Sequence, residues 1–266
     1  MADPVRPARP AIRHRAGLPV LLAACMVLAG CGDGNYVQGP SPGPTPTPTP
    51  TPAPTPTPTT IAFSFAAPDA SWTSSYADYS LGQEGSIGFA TRYEELPVPL
   101  QTLRGLRHQS RNVSDDLFMY IHRAIDGLRP ATRYRLTLSV TLATDAPPGC
   151  PGAGGPPGEA VVVKTGLLAT PPANRIVGGT MVRPAFDIGA QSQAGADSVV
   201  IGNIAKQAGP CGPTDYETKT LATNAAGFEA RSDANGRLWL FIGTDSGYEG
   251  HTALYYLHGL ATLTPL

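Results

Sequence analysis

Arg133-Tyr134-Arg135-Leu136-Thr137-Leu138-Ser139-Val140-Thr141-Leu142 alternates without a break. Tyr134, Leu136, Leu138, Val140 and Leu142 fall on one side, and Arg133, Arg135, Thr137, Ser139 and Thr141 on the other. A period of two sends successive side chains to opposite faces of an extended chain, so the segment predicts a strand with one buried and one wet face. Upstream, residues 117–125 alternate likewise, with Leu117, Met119, Ile121, Arg123 and Ile125 opposite Phe118, Tyr120 and His122. Apolar bulk on both sides predicts a strand in the interior of a sheet. Shorter runs predict further strands at 61–65, 158–167, 198–204, 228–232, 238–243 and 254–263. The pair Asn235-Gly236 between two of these predicts a type I′ hairpin. Amphipathic helical periodicity is missing. Residues 61–266, about 206 in number, suffice for one sizeable core and are read as one all-β domain.

The turn that leads into the first strand, Gly127-Leu128-Arg129-Pro130-Ala131-Thr132-Arg133-Tyr134, resembles the Leu-x-Pro-x-Thr-x-Tyr turn of fibronectin type III modules and of many jelly-roll carbohydrate-binding modules. In those proteins the tyrosine hydroxyl ties a corner between two sheets. A single fibronectin module has about half this length, so the resemblance implies a jelly-roll-like antiparallel β-sandwich. The C-terminal order of strand, acidic Gly-rich loop and closing strand also looks like the end of such modules. Carbohydrate is the ligand this resemblance implies.

Catalytic signatures are sparse. Arg175-Ile176-Val177-Gly178-Gly179-Thr180 resembles the activation site of trypsin-like proteases, and Asp245-Ser246-Gly247 part of their nucleophile segment. That family needs a His and an Asp between the two, and no His lies there, so Gly178-Gly179 is read as a turn and Ser246 is not read as a nucleophile. A Gly-x-Ser-x-Gly elbow, a zinc helix, a phosphate loop and a dinucleotide fingerprint are missing as well. His108, His122, His251 and His258 lack close metal-ligand spacing, and His122 and His258 read as sheet residues. Asp233-Ala234-Asn235-Gly236 brushes the start of an EF-hand, but no acidic ligand follows at the required distance.

Two acidic clusters stand out, Ser114-Asp115-Asp116 and Thr244-Asp245-Ser246-Gly247-Tyr248-Glu249-Gly250-His251. If they converge, Asp115, Asp116, Asp245 and Glu249 offer carboxylates to calcium or to sugar hydroxyls, beside Trp72, Tyr76, Trp239 or Tyr248 as stacking surface. Calcium is the one cofactor this pattern points to. An alternative is a glycoside hydrolase with Asp115 or Asp116 facing Asp245 or Glu249 across a cleft, about 5 to 10 Å apart. A third reading gives Asp115 and Asp245 a turn-capping role, and the protein a structural or assembly role in the envelope.

The N-terminus addresses location. Arg6, Arg9, Arg13 and Arg15 precede an apolar stretch at 18–28, about eleven residues and too short to span a bilayer. It ends in Leu28-Ala29-Gly30-Cys31, which resembles the lipobox of bacterial lipoproteins. The resemblance implies a signal peptide at 1–30, lipid on Cys31, and anchoring at the cell envelope. Gly32 rather than Asp after the cysteine points to the outer membrane. Residues 31–60 are the lipidated N-terminus and a disordered Pro/Thr-rich linker. Its Pro-Thr alternation, at about 3.1 Å per residue, reaches on the order of 60 Å when extended.

Removing residues 1–30 takes four Arg and one Asp from totals of 19 basic and 20 acidic, leaving a net charge of about −4. Together with acidic residues interleaved among Arg104, Arg107, Arg111, Arg123, Arg129, Arg133 and Arg135, this argues against nucleic acid and for a solvated sheet face. The partners expected are the membrane through its lipid, and carbohydrate or an envelope protein. With Cys25 assigned to the signal and Cys31 to the lipid, Cys150 and Cys211 remain, both in Gly/Pro-rich loops. They are predicted to form a disulfide, as an exported domain permits.

Overall fold

Fifteen strands and one helical turn follow one another among the described residues: β1 (Thr59–Ser64), β2 (Thr73–Ala77), β3 (Tyr79–Ser80), α1 (Glu84–Ile87), β4 (Ala90–Glu95), β5 (Arg104–Arg111), β6 (Leu117–Ile125), β7 (Arg133–Thr144), β8 (Val161–Leu168), β9 (Asn174–Val177), β10 (Met181–Pro184), β11 (Val199–Asn203), β12 (Glu217–Ala222), β13 (Phe228–Arg231), β14 (Leu238–Ser246) and β15 (His251–Pro265). The computed structural model describes residues 57–266 together with Gly39 and Gly43. The expected signal peptide, Cys31 and nearly all of the Pro/Thr linker lie outside the described residues.

The strands pair antiparallel into two main sheets. A seven-stranded sheet has the order β12-β7-β15-β5-β4, with β1 also on β15 and β13 also on β7; a five-stranded sheet has the order β11-β8-β14-β6-β2. A small third sheet, β3-β10-β9, completes the all-β, jelly-roll-like sandwich. The alternation at 133–142 is β7, and its inward residues Leu136, Leu138, Val140 and Leu142 meet Leu254, Tyr256, Ala261 and Leu263 of β15 in the main core. Ile121 of β6, Val161 and Val163 of β8, and Leu240 and Ile242 of β14 face them from the five-stranded sheet. Each fully buried side chain of this size contributes at most about 1.5–3 kcal/mol of transfer free energy.

Strand β6 is internal, flanked by β14 and β2, as its two apolar faces require. Its second face, Phe118 and Tyr120, packs with Leu168, Phe241 and Ile188 in a separate cluster under residues 185–198. The turn before β7 closes as a tyrosine corner: Tyr134 Oη accepts the Arg129 N–H at 2.8 Å.

Two turns differ in outcome. Gly178 and Gly179, at φ 59° and 77°, connect the paired strands β9 and β10 and form the turn read from the sequence. Asn235-Gly236 makes no hairpin. Strand β13 pairs with β7 and β14 with β6 and β8, so this turn carries the chain from one sheet to the other. Its geometry comes from Asp233, whose carboxylate accepts the amides of Asn235 and Arg237. Only Gly236 of the pair has positive φ, whereas type I′ needs both.

Strands β4, β5 and β12 carry no clear period-two signal. The inward positions of β5 are Leu106, His108 and Ser110, all buried, so two of three are polar. His108 is held by a hydrogen bond between its Nε2 and Ser74 Oγ at 2.8 Å, and burial pushes its pKa down to about 3, which keeps it neutral.

Candidate functional site

The two acidic clusters do converge, though in a form the sequence does not announce. Strand β14 runs past Gly243 to Ser246, so Asp245 lies in a strand and is fully buried. It points to the outer side of the five-stranded sheet, where Lys164 of β8, also fully buried, reaches Asp245 Oδ2 at 2.7 Å and the Ile188 carbonyl at 2.8 Å. Asp116, just before β6, lies near enough to act on the same carboxyl. Arg183 of β10 closes the group, its Nη1 3.0 Å from Asp78 Oδ1 and 3.8 Å from Asp116 Oδ2. Burial, opposed by Lys164 and reinforced by Asp116, raises the pKa of Asp245.

Lys164 and Arg183 supply the cations this group needs. Among the described residues, no set of three or more His, Cys, Asp or Glu is arranged to hold a metal ion. The hydrolase pairings that use Asp245 find it fully buried and paired with Lys164 rather than lining an open cleft.

Asp78 gives this group a pH signature. Burial first, then Asp116, pushes its carboxyl up to about 7 against the pull of Arg183. A carboxyl raised in the folded state binds its proton more tightly there than when unfolded. Its contribution is fully present below about pH 4 and is lost as pH rises through about 7. Asn keeps the shape and tolerates the backbone φ of 61° at this position. Asp78→Asn is therefore expected to be more stable than wild type at pH 8 and to flatten the stability profile between pH 5 and 8, measured by urea unfolding. An unchanged profile would rule the assignment out.

The remaining candidates part company. Trp72, expected as stacking surface, is buried in the core against Phe63 and Phe65, with ring centroids at 4.9 and 5.4 Å. With 8% exposure and the Arg123 guanidinium over its ring, it offers no stacking surface to a ligand. Trp239 is half-buried against the second cluster, with the Arg237 guanidinium over its ring. Asp115 is exposed at φ 66°, its carbonyl accepting from Gln191. Glu249 is exposed and its amide donates to the Ala153 carbonyl. Tyr248 lines a cavity of about 350 Å³ beside the Cys150–Cys211 disulfide, which is formed as predicted.

A second constellation sits on the outer face of the seven-stranded sheet. Cross-strand pairing aligns Arg92 of β4, Arg107 of β5, Tyr255 of β15, Ala143 of β7 and Thr218 of β12 in one row. These residues alternate with the core positions Leu106, Leu142, Leu254 and Tyr256, so they point outward. Tyr216, half-buried, arrives from the loop after Cys211 and meets Tyr255 edge-on at 5.3 Å. Leu96 and Leu100 pack on the same patch from the segment between β4 and β5.

Polar groups line up beside these rings. Tyr255 Oη donates to Glu94 Oε1 at 3.0 Å, and Arg107 Nη1 donates to the same oxygen at 3.3 Å. Among the described residues no acceptor reaches Arg107 Nε, which is buried. Burial, with the Glu94 contact, pushes the Tyr255 hydroxyl up to about 12, and burial with the Asp145 charge raises Tyr216, so both remain protonated donors. Three cavities flank the row. One of about 210 Å³ is lined by Ala90, Arg92, Arg107 and Gln109, and one of about 380 Å³ by Thr102, Leu103, Thr141, Thr218 and Leu257. The third is the cavity by the disulfide, which Asp145 and His251 also line. The sequence reading missed Glu94, Arg107, Tyr216 and Tyr255, because their only common signal is an outward register shared across separate strands.

No family model matches the chain, and no curated protein does. Among solved structures, the chain is similar to the carbohydrate-binding module TmCBM27, described for specific mannan recognition, at 9% identity over 79% of this chain and 98% of that one, with a TM-score of 0.37. It is similar to the xylan-binding domain of Paenibacillus barcinonensis Xyn10C at 11% identity over 76% and 92%, TM-score 0.33. It is similar to the enzymatically active domain of a tailspike protein of bacteriophage CBA120 at 14% identity, TM-score 0.31. The match covers 72% of this chain and 19% of the tailspike, so the chain spans about a fifth of that protein's length. The fold assignment rests on the strand pairing described above.

Proposed function

We propose that this protein is a lipid-anchored module of the cell envelope that binds carbohydrate chains on the outer face of the seven-stranded sheet. Sugars present apolar C–H faces to aromatic rings and adjacent hydroxyls to planar polar side chains. A stacking ring beside a few convergent donors and acceptors is therefore the chemistry that recognises them. Tyr216 supplies the ring, and Glu94, Arg107 and Gln109 the polar edge. The observation that carries the reading is Arg107 Nε, a buried donor with no acceptor among the described residues, next to a cavity its own side chain lines. Such a donor is costly to leave unmatched, and a ligand hydroxyl is a suitable acceptor.

Anchoring is supported by the basic start, the short apolar stretch and Leu28-Ala29-Gly30-Cys31, and the Pro/Thr segment gives the domain reach above the lipid. Cys31→Ser is expected to move the protein from the membrane pellet to the soluble fraction on cell fractionation. A variant that stays in the pellet refutes the anchor.

Binding is tested by affinity electrophoresis through gels containing envelope or plant polysaccharides. At least one polysaccharide is expected to retard the protein, with Arg107→Ala and Tyr216→Ala each weakening it about tenfold or more, equivalent to about 1.4 kcal/mol. Melting temperatures should change little, since both side chains are partly exposed. Glu249→Ala should bind as wild type. Binding lost with Glu249 and retained with Arg107 would place the site on the acidic loops instead.

A further inference from the structure

We infer that Lys164 and Asp245 condense into an intramolecular isopeptide bond, with Asp116 as the proton carrier. The geometry is that of reactants in contact. Lys164 Nζ lies 2.7 Å from Asp245 Oδ2, both side chains have no solvent exposure, and the two residues sit diagonally on adjacent strands, β8 and β14, on one face of the sheet. Phe118, directly opposite Asp245 on β6, walls the pair with apolar surface. Nζ has two acceptors, Asp245 Oδ2 and the Ile188 carbonyl. Passage of one proton along the 2.7 Å contact from Nζ to Oδ2 converts the ion pair into an amine, whose lone pair can attack, and a carboxylic acid.

The carboxyl side is equally prepared. Asp245 Oδ1 is buried with no hydrogen-bond partner among the described residues, and Asp116 is near enough to raise the pKa of this carboxyl. Burial favours the protonated, electrophilic acid over the carboxylate. The step balances without any further reactant. Nζ attacks Asp245 Cγ and a C–N bond forms; Asp116 takes a proton from the nitrogen and delivers it to the departing oxygen; the Cγ–O bond breaks and one water leaves. Holding both groups at contact distance in a dry site replaces a bimolecular condensation by an intramolecular one. The product is an amide tying β8 to β14 across a sequence separation of 81 residues, in a loop that overlaps the one closed by Cys150 and Cys211.

The test is tandem mass spectrometry of the full chain, reduced, unfolded and digested with trypsin. The expected result is a branched peptide in which Lys164 is joined to Asp245, about 18 Da lighter than the sum of its two parts, with no cleavage after Lys164. Separate linear peptides, with cleavage after Lys164, would overturn the inference. Asp116→Asn, checked for native near-ultraviolet circular dichroism, is expected to leave the two peptides separate, and Asp116→Glu to restore the branch. A complete branch in Asp116→Asn would overturn the role of Asp116.

Discussion

Lys164→Ala is expected to lower the stability of the domain by about 3–5 kcal/mol, because it leaves the fully buried Asp245 carboxyl without its partner and removes the tie between β8 and β14. Lys164 and Asp245 have no exposure, and the walls around them are Phe118, Ile188 and Phe241, none of which offers Asp245 a new donor. The truncated lysine also leaves a cavity and orphans the Ile188 carbonyl it now serves. For a domain of this size a loss of that order lowers the melting temperature by roughly 10 °C. The comparison is Arg104→Ala, which removes an ion pair to Glu95 whose side chains are 48% and 67% exposed. Water already screens that pair, so its loss should cost less than about 1 kcal/mol. Chemical denaturation of both variants checks the contrast. Equal, small losses would mean that the Lys164 site is open to water.

The disulfide carries the second large effect. Cys150 and Cys211, separated by 61 residues, join the loop between β7 and β8 to the loop between β11 and β12, both rich in Gly and Pro. In the chain-entropy view, closing a loop of that length is worth about 4 kcal/mol through the unfolded state. Cys150→Ala with Cys211→Ala should lose stability on that order at equilibrium in urea. It should also weaken carbohydrate binding, since the loop freed on the Cys211 side leads within a few residues to Tyr216 and borders the cavity lined by Asp145 and His251. A double variant with wild-type stability would show that the Gly/Pro loops are fixed by their other contacts.

Much of the fold can be read directly from the chain because its strongest strands obey the simplest rule. In β7 and β6, alternation reports burial residue by residue, and Tyr134 sits at the corner its turn motif implies. The disulfide follows from the two cysteines left over in turn-rich loops. The site is harder to read for a physical reason: its members are brought together by cross-strand register rather than by sequence spacing. Asp245 lies in what reads as an acidic loop, and nothing near it in sequence reveals Lys164, 81 residues away, as its partner. Glu94 and Tyr255 are 161 residues apart, yet share a hydrogen bond. Trp72, isolated among Ser and Thr, reads as a surface ring, while the aromatic residues that bury it, Phe63 and Phe65, lie on and just beyond β1. Strand β5 hides its period because His108 and Ser110 occupy inward positions that apolar residues ordinarily fill.

The most direct measurement of carbohydrate binding at the seven-stranded sheet is the Arg107 Nε–H resonance in a nitrogen-15 spectrum, followed while the soluble Cys31→Ser protein is titrated with oligosaccharides of whichever polysaccharide retards it. This resonance and the Tyr216 ring signals are expected to shift together and saturate at one affinity. Shifts confined to Asp115, Tyr248 and Glu249, with Arg107 unmoved, would contradict binding at this sheet.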